Sequence, residues 1–137
     1  MLEAYAVGQT IAAANGVVPF NAVTLVKGET AVLSGANTIQ LNRCGVYMID
    51  FCMEGLPGAA GTATVSMSKD GVLQQQATAS VGGATTATAV TLPITTLVQV
   101  SENNTCCCCA SPTVIQFTNT GVQLTAARTH VVVTKVC

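Results

Sequence analysis

The sequence predicts an all-β fold, an antiparallel β-sandwich or jelly roll, and three observations predict it. Apolar and polar residues alternate along several short segments, as they do in strands with one buried face. Clusters of Gly, Pro, Asn and Asp separate these segments at intervals of about 8–12 residues. Residues 75–90 are rich in Ala, but they include Gly82-Gly83 and several β-branched residues and have no apolar stripe at the helical period.

The strongest alternation runs from Gly45 to Glu54. One side of this predicted strand is apolar and consists of Tyr47, Ile49, Phe51 and Met53. The other side consists of Met48, Asp50, Cys52 and Glu54. Successive residues of a strand point to opposite faces, so this segment predicts a strand with one side in the core and a more polar side outside it. The cluster at residues 55–58, Gly-Leu-Pro-Gly, then predicts a turn.

A β-hairpin is predicted around Asp70-Gly71. Glycine tolerates the positive φ of a type I′ turn, so Thr62–Lys69 and Val72–Ser80 are expected to pair antiparallel. Gly82-Gly83 predicts a further break in the chain. The following segment, residues 85–100, is predicted to be extended, with Pro93 marking an edge position, a bend or a bulge.

The remaining strands are shorter or less regular. They are predicted at Val7–Ile11, Val17–Phe20, Thr24–Lys27, Ile39–Leu41, Thr113–Asn119 and His130–Val136. The length of the chain fits one domain. Residues 1–137 are therefore expected to form a single jelly-roll domain, with residues 1–16 as an N-terminal strand and lead-in.

The chain is unusually apolar. Of its 137 residues 50% are hydrophobic and 8% are charged, and the mean hydropathy is +0.54, whereas about a quarter of the residues of a typical globular domain are charged. No stretch approaches the roughly 20 apolar residues of a membrane helix, so membrane insertion is not expected. Association with other protein chains is the better explanation of the apolar excess.

The net charge and the first five residues of the chain argue against nucleic-acid binding and against secretion. The net charge of −1 offers little to neutralise phosphates, so nucleic acid is not an expected partner. Residues 1–5 show no basic segment followed by an apolar core, so synthesis in the cytoplasm without a signal peptide is expected.

Residues 45–51 carry a specific resemblance. Gly-Val-Tyr-Met-Ile-Asp-Phe resembles the Gly-x-Tyr-x-Phe-x-Phe signature of complement-type globular heads, within the tumour-necrosis-factor-like jelly-roll superfamily, with Ile49 where Phe is usual. Pro19-Phe20-Asn21 and Ile39-Gln40-Leu41-Asn42 resemble the segments that precede this motif in such heads. The ending, residues 131–136, resembles the last strand of bacterial collagen-like exosporium glycoprotein heads.

The resemblance implies a ten-stranded jelly roll that forms a tight homotrimer, with one sheet of each subunit packed around a threefold axis. Such heads usually follow a Gly-X-Y collagen stalk, and this sequence contains none. A trimer without a stalk suits decoration of a particle, and we expect display on a virion, with a phage capsid as the favoured surface. The alternative is a trimeric head on a spore or cell surface that binds a glycan or a protein receptor.

Ten apolar residues are predicted to pack in the trimer interface or in the core. They are Tyr47, Ile49, Phe51, Leu97, Val98, Val100, Ile115, Phe117, Val131 and Val133. Asp50 is the acid at the centre of a predicted strand, where burial without a partner would be costly. Arg43, Lys135 or Arg128 are its candidate partners, within the subunit or across a subunit boundary.

Few residues offer chemistry, and neither catalysis nor a cofactor is expected. His130 could act as base to a cysteine nucleophile, but no nucleophile motif surrounds any cysteine, and a histidine at a strand edge near Arg128 is the simpler interpretation. A calcium site would need several oxygen ligands. The candidate loop ligands are Asp70, Glu102, Asn103 and Asn104, and no metal is expected.

The run Cys106-Cys107-Cys108-Cys109 is the most unusual feature of the sequence. Its spacing does not suit zinc, and neighbouring cysteines make strained disulfides. Near a threefold axis these thiols would be present three times and could form an interchain disulfide ring or a metal cluster. Packed, reduced thiols are the alternative.

Overall fold

The computed structural model describes residues 1–13, 15–101 and 112–137. Within these residues the chain forms strands and no helix. The strands are β1 (Leu2–Ile11), β2 (Gly16–Val17), β3 (Ala22–Val26), β4 (Ala31–Ser34), β5 (Thr38–Leu41), β6 (Gly45–Pro57), β7 (Gly61–Lys69), β8 (Val72–Ala84), β9 (Val90–Val100), β10 (Thr113–Asn119) and β11 (Leu124–Lys135).

The strands form two antiparallel sheets that pack face to face. The five-stranded sheet has the order β3-β1-β11-β6-β9, and the second sheet has the order β4-β5-β10-β7-β8. The two-residue strand β2 pairs with β10 and lies off this path. The predicted sandwich is confirmed, and ten strands make the two ordered sheets.

The alternation at β6 is confirmed. Tyr47, Ile49, Phe51 and Met53 are fully buried, and the residues between them are exposed. The strand continues to Pro57. The turn predicted at residues 55–58 was therefore placed too early, because Gly55 and Leu56 still pair with β9 and β11.

The hairpin between β7 and β8 is also confirmed. Lys69 pairs with Val72, and the two residues between them have positive φ, 51° at Asp70 and 84° at Gly71. The Asp70 carboxylate accepts a hydrogen bond of 2.9 Å from the backbone N–H of Val114, which fixes the turn against β10. Gly82-Gly83 does not break the chain, because both residues lie inside β8.

Several other boundaries differ from the predictions. The first strand begins at Leu2 rather than Val7, β2 covers only the start of the segment predicted at Val17–Phe20, and β9 begins at Val90 rather than residue 85. The four-residue strand β4 was not predicted. His130 does not lie at a strand edge, because β11 is the central strand of its sheet, between β1 and β6.

Three phenylalanines fill the centre of the sandwich. The rings of Phe51 and Phe117 come from opposite sheets and stack with centroids 4.0 Å apart and an interplanar angle of 7°. Phe20 meets both of them edge-on at 6.2 Å. Aliphatic side chains from all the long strands surround this cluster, so the core is continuous between the sheets.

Candidate functional site

The outer side of the five-stranded sheet combines apolar and charged side chains, and we call it the front face. It consists of Glu3, Tyr5 and Val7 on β1, Leu25 on β3, Met48, Asp50, Cys52, Glu54 and Leu56 on β6, Thr91, Pro93, Thr95, Leu97 and Gln99 on β9, and Arg128, His130, Val132 and Thr134 on β11. Their alternation with core residues places them all on one side of the sheet.

Much of the front face is apolar yet open to solvent. Tyr5, Val7, Met48, Leu56 and Leu97 are all exposed by more than a third, and Leu97 reaches 64%. Isolated exposed apolar residues are ordinary, but a patch that spreads over several neighbouring strands marks a contact surface.

A second apolar surface lies at one open side of the sandwich, where β8 and β9 run beside each other as the outer strands of their sheets. We call it the open edge. Val72, Leu73 and Leu97 are its exposed apolar residues. A depression of about 480 Å³, lined by Met48, Gln76, Thr95, Thr96 and Leu97, joins the open edge to the front face.

The residues predicted to pack in the interface or core divide between two places. Leu97 lies on the surface just described. The other nine lie between the sheets, and each is exposed by 6% or less: Tyr47, Ile49, Phe51, Val98, Val100, Ile115, Phe117, Val131 and Val133. The front-face residues of β1 were missed, although Leu2, Ala4 and Ala6 alternate with Glu3, Tyr5 and Val7 and could have indicated them.

The charged groups of the front face differ in their pairing. The Glu3 carboxylate and the His130 imidazole lie within hydrogen-bond distance, with 2.9 Å between Oε1 and Nε2. Arg128 stands opposite Glu54 in the β6–β11 register. Asp50 accepts a hydrogen bond of 3.2 Å from the Thr95 hydroxyl, and no basic side chain in the described ranges pairs with it. The partners suggested for Asp50 by the sequence therefore do not reach it within the chain.

The sheet brings His130 and Cys52 together. The two residues are direct partners in the β6–β11 register and line a depression of about 340 Å³. Burial raises the pKa of the Cys52 thiol, and the negative charges of Glu54 and Asp50 raise it further. A cysteine nucleophile needs a thiolate. This environment opposes the catalytic interpretation of the pair.

The described residues give no geometric support to the hypotheses of a metal site or of a thiol cluster. No group of three His, Cys, Asp or Glu side chains suited to a metal ion occurs in residues 1–13, 15–101 and 112–137. Asp70 is used in the hairpin turn. Glu102, Asn103, Asn104 and the run Cys106-Cys107-Cys108-Cys109 lie outside the described residues. No helix in the described part of the chain is long and apolar enough to cross a membrane.

The outer side of the second sheet is uncharged and hydrogen-bonded to itself, and we call it the polar face. The hydroxyls of Ser66 and Thr78 lie 2.9 Å apart, and those of Thr64 and Ser80 lie 3.0 Å apart. The Gln116 amide donates a hydrogen bond of 2.9 Å to the hydroxyl of Thr38. This face thus differs in kind from the front face.

The architecture is a tumour-necrosis-factor-like jelly roll. The chain is similar in fold to the globular domain of the zebrafish complement 1qA protein, with a TM-score of 0.71 and 8% identity over 99% of this chain and 96% of that one. It is similar to the PRD1 vertex protein P5, with a TM-score of 0.66 and 16% identity over 99% and 96%. The Eiger TNF of S. frugiperda gives a TM-score of 0.60 and 8% identity over 98% and 92%.

These likenesses define the fold. No model of a known protein family matches the sequence, and no curated protein matches it either.

Proposed function

We propose that this chain is a non-enzymatic structural head that assembles as a homotrimer and decorates the surface of a larger particle, with a phage capsid as the favoured particle. One observation carries the proposal: each subunit leaves two unlike apolar surfaces uncovered, the front face and the open edge. Display on a spore or a cell is the alternative setting.

The two surfaces suit contact between copies of the chain. When a patch on one copy meets a different patch on the next, the contact is heterologous and closes into a ring if the rotation allows it. The open edge of one subunit against the front face of the next would cover both at once. The resemblance to tumour-necrosis-factor-like heads supports three as the number of copies.

The polar face supports the same arrangement from the other side. Its hydroxyl and amide groups already bond to each other, so this face needs no protein partner. In the proposed trimer the polar faces point outwards, and the front faces surround the axis. The fold likeness to a vertex protein favours a virion as the particle.

The oligomeric state tests the first half of the proposal. Sedimentation velocity should give about three times the subunit mass of 13.9 kDa. A single-chain mass that persists at high concentration would refute the trimer. Electron microscopy of particles mixed with the purified protein tests the second half, and extra density at threefold positions of a capsid is the expected result.

The receptor-binding alternative has a separate test. Sugar rings are normally held by stacking on Trp or Tyr, and the chain contains no Trp and two Tyr, of which Tyr47 is buried. A glycan array is therefore expected to give no saturable binding. Saturable binding would favour the receptor-binding head over the decoration protein.

A further inference from the structure

Asp50 lies in the middle of the front face, on β6 between β11 and β9. Its direct partners in the two neighbouring strands are Val132 and Thr95. Met48 and Leu97 form the adjacent pair on the same side of the sheet. The carboxylate is exposed in the single chain and accepts a hydrogen bond from the Thr95 hydroxyl. Cys52 is the next residue on the same side of β6, and Thr134 and His130 flank Val132 on the same side of β11.

The other ionisable groups of the front face have different neighbours. Glu3 pairs with His130, and Glu54 stands opposite Arg128. Tyr5 and Cys52 are the remaining titratable groups of this face. The outward residues of β3 and β9 carry no charge: Leu25, Thr91, Pro93, Thr95, Leu97 and Gln99. Asp50, by contrast, has no basic group directly opposite it in either neighbouring strand.

We propose that Asp50 binds a proton when a second copy of the chain covers the front face, so that the homotrimer is more stable at acidic than at alkaline pH. The inference rests on the proposed trimer. A carboxylate removed from water without a cation is strongly disfavoured, and protonation is the usual response.

The direction of the pH dependence follows from linkage. If the assembled state holds the proton more firmly than the free subunit, assembly takes up protons, and the trimer gains stability as the pH falls. The association constant then rises by up to about tenfold per pH unit for each proton bound. Three subunits contribute one such proton each.

Asp50→Asn tests the proposal, because asparagine keeps an acceptor for the Thr95 hydroxyl and has no charge to lose. Sedimentation velocity over a dilution series at about pH 5 and about pH 8 gives the association constant of each protein. The wild-type constant should be larger at the lower pH. The variant should be tighter than wild type at the higher pH and should depend less on pH. Because His130 and Glu3 are present in both proteins, the difference between the two pH profiles reports the contribution of Asp50.

Glu29→Gln is the matched control, since Glu29 is an exposed acid between β3 and β4 and lies off the front face. It should leave the pH profile unchanged. If the wild-type trimer is too tight to dissociate, exchange of subunits between two labelled trimers replaces the dilution series, and exchange should be slower at the lower pH.

Two results would overturn the proposal while leaving the trimer intact. A weaker Asp50→Asn trimer would mean that the neighbouring subunit supplies a cation to Asp50. Equal pH profiles of variant and wild type would mean that Asp50 takes no part. A protein that is monomeric at every pH and concentration would instead refute the proposed trimer itself.

Discussion

The three core phenylalanines carry most of the aromatic packing of this chain, in which aromatic residues make up only 4%. Phe51 and Phe117 stack across the gap between the sheets, and Phe20 closes the cluster at its side. The rest of the core is made mostly of Ala and Val together with Leu, Ile and Met, and a packed core relaxes only partly into the space left by a removed ring.

Phe117→Ala is therefore expected to destabilise the fold by about 3–5 kcal/mol, from lost burial and the cavity that remains. Urea unfolding followed by circular dichroism measures the change. Val136→Ala is the control, because Val136 is exposed near the C-terminal end, and it should change the free energy of unfolding by less than about 0.5 kcal/mol. A loss at Phe117 no larger than that of the control would contradict the assigned core.

Tyr47 combines full burial with two hydrogen bonds. Its hydroxyl donates to the carbonyl of Arg43 at 2.7 Å and lies 3.3 Å from that of Thr30. Burial raises the pKa of this phenol above 10.0, although the bond to Arg43 opposes the shift. The folded state thus favours the neutral phenol. The corresponding stability is present below pH 10.0 and is lost as the pH rises through the higher value of the folded state.

Tyr47→Phe should cost about 1 kcal/mol at neutral pH, from the lost hydrogen bonds. The variant should also lose less stability than wild type when the pH is raised above about 10. Unfolding curves at neutral and alkaline pH give both quantities, and Tyr5→Phe on the front face serves as control. A steeper alkaline loss in the variant would contradict the assigned burial.

At the scale of elements, the β7–β8 hairpin depends on one glycine. Gly71 has φ of 84°, a conformation that costs a residue with a side chain about 1–2 kcal/mol. Gly71→Ala should destabilise the fold by roughly 1 kcal/mol. Gly82→Ala is the matched control, since Gly82 has no positive φ and nothing lies within 4 Å of its added Cβ. Equal effects in thermal unfolding would show that the turn geometry does not limit stability.

The strands that the sequence predicted well are those with one buried and one open side. In β6 and β10 buried residues alternate strictly with more open ones, and in β7 apolar residues alternate with Thr and Ser, so the alternation is visible in the sequence. Strand β4 (Ala31–Ser34) was missed because it is only four residues long, has Ala31 as its one fully buried residue and shows no clear alternation. Gly82-Gly83 resembled a break, yet positive φ at Gly83 is accommodated inside β8.

The apolar excess predicted association but could not place it. Alternation identifies the side of a strand that faces the core, and the predicted interface residues were mostly of this kind. The outward residues can be assembled into surfaces only when the order of the strands in each sheet is known. Tyr5, His130 and Cys52 come from distant parts of the sequence, and only the register of β1, β11 and β6 makes them neighbours.

At the scale of the whole molecule, the proposed contact between the front face and the open edge should depend on Leu97, which belongs to both. A lysine there would place a charge and its hydration in the contact. Leu97→Lys is expected to reduce the trimer association constant by about a hundredfold or more, as loss of a central apolar contact commonly does. Sedimentation velocity measures the effect.

Ser34→Lys is the control for Leu97→Lys. Ser34 is exposed on β4, at the other side of the second sheet from β8, and should leave the mass of the assembly unchanged. If Leu97→Lys forms trimers as tightly as wild type, the contact lies elsewhere on the subunit.

The polar face has a consequence for a particle coated with this protein. Its strands direct Ser, Thr and Gln side chains, a few valines and Leu73 outwards, and no charged residue lies at these positions. The polar residues include Thr38, Gln40, Thr64, Gln116 and Thr118. Dissolved salt screens charges and leaves neutral hydroxyls largely unaffected. A particle surface made of such faces would stay hydrated at both low and high salt concentration. Coated particles would therefore remain dispersed over this range.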